Sequence, residues 1–298
     1  MDLDSRRLMR IATIASMTVA LTLIGAKTAA WLITESVSML SSLVDSALDF
    51  VASLVTFLAV RQALTPADAD HRFGHGKAEA LAGLTQAGFI AASGGGLLLT
   101  VGERLFHPHQ VRQEAVGLAI SAFAVVLTLG LVAFQAHVVR RSGSIAIGAD
   151  KAHYITDIVS NLAVGAALFL SGRFNQPLID VGIAALVALY LLHGAWGVGR
   201  ASLDVLMDRE LADADRLLIV EIAKRHPLVE DIHDLRTRSA GLTKFIQLHI
   251  ELDPGLSLTR AHEIGDEVEA EIQKAFPDAE IILHVDPFGL EERRTSFA

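Results

Sequence analysis

Apolar residues gather into six runs, each near the ~20 mostly apolar residues that a bilayer-crossing helix needs. The runs are residues 11–33, 37–60, 81–101, 115–139, 145–170 and 178–199. The second is interrupted by Asp45 and Asp49, and the fifth by His153 and Asp157. The first follows Arg6, Arg7 and Arg10 and is too long for a signal-peptide core, so it reads as an uncleaved first span. After Leu203 the pattern changes. Residues 213–225 have helical periodicity and end at His226-Pro227. Residues 231–238 and 243–252 read as strands separated by Ser239-Ala240-Gly241. Residues 257–275 read as a helix with Ser257 as N-cap, and 280–285 as a last strand before Pro287. In the second strand Phe245, Gln247, His249 and Glu251 alternate with Ile246, Leu248, Ile250 and Leu252, giving one polar and one apolar sheet face. The predicted fold is an α-helical membrane protein with six transmembrane helices, plus a C-terminal α+β (αββαβ) domain. The predicted domains are 1–204, 205–290 and a short terminal tail, 291–298.

Charge sharpens this division. The 298 residues carry a net charge of −9. Residues 1–204 hold 14 Lys and Arg against 14 Asp and Glu, whereas 205–298 hold 11 against 20. The whole excess is therefore in the tail, and an acidic chain of this kind is not a nucleic-acid binder. Lys and Arg also set orientation. With the N-terminus inside, the inner segments before Arg200 carry Arg6, Arg7, Arg10, Arg61, Arg72, Lys77, Arg140, Arg141 and Lys151. The outer loops carry only Arg104, Arg112 and Arg173. Both termini are thus expected in the cytoplasm, in a multi-pass protein of the inner (plasma) membrane. The absence of cysteine removes thiolate chemistry, so any metal must be held by His, Asp, Glu or backbone oxygen.

Ionisable residues inside spans are costly and default to function. Asp45/Asp49 and His153/Asp157 are both i,i+4 pairs, so each pair lies on one helix face. Two such faces opposed supply four N/O donors, which suits tetrahedral Zn²⁺. Fe²⁺, Cd²⁺, Co²⁺ and Mn²⁺ also accept this donor set. Ser38 and Ser42 extend one stripe and Asn161 the other. Lys27, toward the outer end of the first span, is expected to snorkel. Asp180 and His193 read as interfacial or packing residues, and Gly94-Gly95-Gly96 as a close helix contact. The loop 68–79 reads Asp-Ala-Asp-His-Arg-Phe-Gly-His-Gly-Lys-Ala-Glu; on bare chemistry Asp68, His71 and His75 make either a three-donor metal site or a charged loop. His262-Glu263 opens like a zinc-protease H-E-x-x-H motif, but Asp266 stands where the second His belongs.

These features together resemble the cation diffusion facilitator family, most closely its bacterial zinc and iron efflux members. The resemblance rests on six spans, Val44-Asp45-Ser46, the Phe73–Glu79 motif, His153/Asp157 and the αββαβ tail. It implies a homodimeric secondary transporter, not an enzyme, that exports divalent metal, chiefly zinc, in exchange for protons. It implies that Asp45, Asp49, His153 and Asp157 form the transport site and that Asp68, His71 and His75 form a second site. In the tail it implies a binuclear, structural zinc site at the dimer interface, from His233, His249, His284 and Asp286, with His262 contributing. It also implies a charge interlock between Lys77 and Asp208. Val285, between His284 and Asp286, departs from relatives that have a polar residue there.

Three rival readings make different predictions. A passive channel would conduct without proton coupling, but tight multidentate ligation opposes fast conduction. A metalloenzyme would need an open coordination position beside a general base. A membrane metal sensor would have no flux to lose when 205–298 are deleted.

Overall fold

The computed structural model of the chain describes residues 3–35, 37–106, 115–174, 176 and 178–289. Arg112 and the segment 291–298 lie outside the described residues, as do the side chains of Ser38, Arg104 and Asp180. The chain forms two compact units, one reaching Leu203 and one beginning at Asp204.

The first unit contains six long helices: α1 (Leu3–Thr34), α2 (Val37–Ala63), α3 (Ala78–Phe106), α4 (Ala115–Ser142), α5 (Ile145–Phe174) and α6 (Leu178–Leu206). Each covers one of the six apolar runs and extends beyond it. Five of the helices are long and apolar enough to cross a membrane, and α5 is not among them. Its first half carries Asp150, Lys151 and Asp157, and its polar side is turned into the protein. Asp150, His153 and Tyr154 are buried there, where α5 packs on α2, α3 and α4. An interior position is where ionisable groups in a spanning helix are tolerated.

Small residues set how closely α3 approaches α6. A Cβ on Gly83 would lie 2.3 Å from Ser202 Oγ, and one on Gly94 would lie 3.1 Å from Leu192 Cγ. Gly95 and Gly96 face open space, so only the first glycine of the triplet serves the packing expected of all three. Lys27 also departs from expectation. Its ammonium does not snorkel outward but turns onto α2, donating to Ser46 Oγ at 2.6 Å and to the Ser42 carbonyl at 3.0 Å.

The start of α5 is capped from another helix. Ser144 Oγ accepts from the Ile147 amide at 3.3 Å and donates to Glu79 Oε2 at 2.6 Å. The same Glu79 oxygen accepts from the Ala146 amide at 3.3 Å. A carboxylate at a helix N-terminus satisfies orphan amides and meets the positive end of the helix dipole. Glu79→Ala is expected to destabilise the protein by about 1–2 kcal/mol. A lowered midpoint of thermal unfolding in detergent would report this, and an unchanged midpoint would contradict it.

The second unit follows the expected αββαβ order: α7 (Asp213–Lys224), β1 (Asp231–Ala240), β2 (Thr243–Leu252), α8 (Leu258–Ala275) and β3 (Ala279–Pro287). Ser257 caps α8 by accepting from the Arg260 amide at 3.2 Å. The sheet order is β1-β2-β3. β1 and β2 are antiparallel. β2 and β3 are parallel, as the α8 crossover between them allows. The core joins Ile219 and Ile222 of α7, Ile246, Leu248, Ile250 and Leu252 of β2, and Ile264, Val268 and Ile272 of α8. The helices thus cover the apolar sheet face and leave the histidine-bearing face uncovered by them. On that second face Phe245 is nonetheless buried, and the Arg238 guanidinium lies 4.5 Å from its ring centroid.

Candidate metal sites

In the helical unit, α2 and α5 bring three of the four predicted span residues together. His153 Nε2 lies 3.1 Å from Asp49 Oδ1 and 3.8 Å from Asp157 Oδ2. One donor atom from each of Asp49, His153 and Asp157 lies within 4.8 Å of the others. His153 Nδ1 is buried with no hydrogen-bond partner. Asp45 stands outside this trio. It is one helical turn before Asp49 and exposed, whereas its neighbour Ser46 is fully buried. The i,i+4 rule puts Asp45 and Asp49 on one face, but the buried side of α2 at that level is centred on Ser46. Asn161 is exposed and donates back to the Asp157 carbonyl at 2.8 Å.

Asp150, which the sequence reading passed over, lies one turn before His153 on α5. Its Oδ2 accepts from Gln135 Nε2 at 2.7 Å and Ser16 Oγ at 2.8 Å. Its Oδ1 accepts from Gln86 Nε2 at 3.3 Å and Ser53 Oγ at 3.4 Å. Donors from α1, α2, α3 and α4 therefore meet on one buried carboxylate. Its i,i+3 spacing to His153 was a usable sequence signal.

The loop between α2 and α3 gathers Asp68, His71 and His75. His71 Nδ1 and His75 Nε2 each lie 3.4 Å from an Asp68 oxygen, and the two rings are 4.6 Å apart. Gly74, in the left-handed region at φ 76°, makes the turn that brings the second histidine back. Asp68 Oδ1 accepts from the amides of His71 at 2.7 Å and Asp70 at 3.0 Å. The His71 bond, more than any other contact, holds the Asp68 carboxyl below the usual carboxylate range. A depressed value means the turn's stabilisation is fully present above the ordinary carboxylate pKa and is lost as pH falls through the lowered one. The Asp68 carboxyl carbon is therefore expected to titrate below about 3.9 by NMR; a midpoint at or above that value would refute the role of these two amides.

The tail presents a row of histidines set by strand register. His233 pairs with His249 across β1 and β2, and His249 pairs with His284 across β2 and β3. Neighbouring rings are 5.0 and 4.8 Å apart. Asp286, which is buried, lies within 4 Å of all three: its Oδ2 is hydrogen-bonded to His249 Nδ1 at 2.7 Å and lies 3.4 Å from His233 Nε2, and its Oδ1 lies 3.0 Å from His284 Nε2. A bulge follows His233, with Asp234 at φ 49°. The Arg236 guanidinium holds the Asp234 carboxyl below the usual range. Glu251, two residues after His249 and opposite Asp286 in register, lies 2.9 Å from His233 Nδ1. Sequence reading placed Glu251 on the polar face but did not name it as a donor. His262 is not in this group. It is exposed and lies 3.7 Å from Asp266, although it and Asp286 line one cleft of about 420 Å³ in the tail.

Lys77 lies just before α3 and its carbonyl accepts from Leu81 N at 3.2 Å. Asp208, at a left-handed φ of 56°, accepts from Arg238 Nη1 at 3.2 Å.

Comparison with known proteins accounts for both units. Residues 13–207 match the cation efflux transmembrane domain. Residues 211–288 match the cytoplasmic domain of cation efflux proteins. The chain is 46% identical over 282 residues to the cation-efflux pump FieF of Shewanella oneidensis, covering 95% of each chain. It is 42% identical over 287 residues to FieF of Serratia proteamaculans, covering 96% of this chain and 95% of that one. Among solved structures, the metal-bound C-terminal domain of the CzcD transporter from Thermotoga maritima is 30% identical, covering 28% of this chain and 100% of that one, with a TM-score of 0.26.

Proposed function

Because the chain belongs to the cation diffusion facilitator family and is a cation efflux transporter, we propose that it exports divalent transition metal, zinc first, by proton antiport. Residues 1–204 are the transport domain of an inner-membrane protein with both termini in the cytoplasm. Residues 205–290 are a cytoplasmic metal-binding dimerisation domain. The observation that carries this reading is the convergence of Asp49, His153 and Asp157 donor atoms within 4.8 Å between spanning helices, one turn from Asp45. A site of carboxylates and one imidazole releases metal when protons compete for the donors. Cytoplasmic metal binds the deprotonated set, the helices rearrange, and outside protons displace the metal.

The other two clusters take supporting roles. Asp68, His71 and His75 form a second metal site in the loop that leads into α3. In the tail, the chemistry of the donor set fits a resident zinc: His233, His249, His284 and Asp286 offer imidazole and carboxylate within reach of one another, and Glu251 adds another carboxylate. That zinc would fix the strand row at a homodimer interface. His262 joins it from across the cleft, and Lys77 and Asp208 form the charge interlock.

The test is metal uptake into vesicles loaded with a metal-sensitive dye, with the pH gradient imposed in either direction. Antiport predicts that the gradient drives flux and that reversing it reverses or stops flux. Flux indifferent to the gradient would establish a passive channel instead, and no flux at all would favour a sensor.

A further inference from the structure

We infer that Lys27 is a built-in counter-charge of the metal-transport site, one that keeps the loaded site neutral and thereby weakens its hold on the metal. The inference rests on the reading of Asp45, Asp49, His153 and Asp157 as that site. Lys27 is half-buried in α1, and its ammonium crosses to α2, at 2.6 Å from Ser46 Oγ and 3.0 Å from the Ser42 carbonyl. Both acceptors are neutral. Neither accounts for a cation inside a spanning bundle, which needs negative charge nearby. Ser46 follows Asp45 directly and precedes Asp49 by three residues, about 4.5 Å along the helix axis. The ammonium is thus anchored on α2 at the level between Asp45 and Asp49, within electrostatic range of Asp45, Asp49 and Asp157.

Charge counting gives this placement a function. Three ionised carboxylates, a neutral histidine and a divalent cation sum to one negative charge. The Lys27 ammonium brings the loaded site to zero. Without it, the site would hold a divalent cation in an excess of negative charge and release it slowly. A transport site needs binding strong enough to load and weak enough to empty, and a fixed repulsive charge at helical-turn distance is a way to set that balance. At an effective dielectric near 20, such a charge weakens divalent binding by roughly tenfold or more.

The sign of the effect separates this role from a structural one. A lysine that merely props α1 on α2 would, when lost, loosen the site and weaken binding. A counter-charge, when lost, tightens it. Zinc affinity is measured by calorimetry on the full-length protein in detergent, in a background carrying Asp68→Ala and Asp286→Ala so that only the span site reports. Zinc flux into vesicles is measured in the same background. Lys27→Met and Lys27→Gln are both expected to bind zinc roughly tenfold or more tighter. Their half-saturating concentration for flux falls and their maximal rate falls with it. Lys27→Gln retains a donor for Ser46 and Ser42, which guards against misfolding. Lys27→Arg keeps the charge and is expected to keep the parent affinity. Unchanged or weaker zinc binding in both neutral variants, while Asp49→Ala abolishes binding, would overturn the counter-charge role and leave the site reading intact. Zinc binding that survives Asp49→Ala would overturn the site reading, and this inference with it.

Discussion

Asp49→Ala and Asp157→Ala are each expected to reduce the initial rate of gradient-driven metal export by at least ~100-fold. Each removes a donor from the trio that meets within 4.8 Å. His153 is held between the two, at 3.1 Å from Asp49 and 3.8 Å from Asp157, so either loss also frees the imidazole from one of its restraints. Loss of even an outer partner of a metal ligand typically costs 10–100-fold in affinity or activity, and loss of a direct donor costs more. The measurement is flux into dye-loaded vesicles at matched protein density, with circular dichroism to establish that the helices persist. Full flux in either variant would remove that residue from the site. Deleting 205–298 supplies the contrast, since a transporter retains some flux without its tail.

Much of this architecture was legible in the sequence because the governing signals are local. Helix length in a bilayer is fixed by hydrophobic thickness, and the six runs became six helices. Strand alternation in β2 named its two faces residue by residue, and Thr243–Leu252 matched the predicted strand. The end of the apolar runs at Leu203 and the acidic charge beyond it separated the units. What the sequence obscured depends on which way a helix is rotated and on which strands become neighbours. Lys27 looked like a residue bound for the interface, because a long side chain near a helix end usually snorkels. Only the position of α2 reveals the Ser46 hydroxyl that captures it. Asp45 and Asp49 looked equivalent by spacing, yet the burial of Ser46 turns one toward His153 and leaves the other exposed. Glu251 needed the parallel register of β2 with β3 before it could be placed opposite Asp286. The bulge after His233 had no sequence cue except Asp234, a residue type that tolerates a left-handed backbone.

Asp150 is the clearest case of a residue whose weight comes from tertiary structure, and its variants are expected to diverge sharply. Asp150→Ala deletes the common acceptor of Ser16, Ser53, Gln86 and Gln135, leaving donors on four other helices facing a buried void. Each hydrogen bond lost to a charged acceptor costs about 1.5–3 kcal/mol, and each donor keeps another contact, with Ala12, Tyr154, Ala52 or Ser16. Relaxation and water entry recover part of that sum, so a net loss of about 3–5 kcal/mol is expected, the range seen when one partner of a buried charged network is removed. Asp150→Asn keeps the shape but puts an amide N–H₂ where an acceptor stood. The site can absorb that change because Gln135 Oε1 is buried with no hydrogen-bond partner. Turning the Gln135 amide over presents its oxygen to the new donor at no cost in volume, and the Ser16 hydroxyl 3.0 Å away can donate to it, whereas Gln86 is held in place by its bond to the Ala52 carbonyl at 3.0 Å. Asp150→Asn is therefore expected to cost about 1 kcal/mol or less and to retain gradient-driven flux, whereas Asp150→Ala loses both stability and flux. Thermal unfolding in detergent and vesicle flux, run on the same preparations, check the two halves together. Equal destabilisation by both variants would mean that the ionised carboxylate itself, rather than the hydrogen-bond count, holds the five helices in place. Asp150 lies on the α5 face that carries His153 and Asp157, three and seven residues further on, so the rotation fixed at this junction also sets where those two donors point.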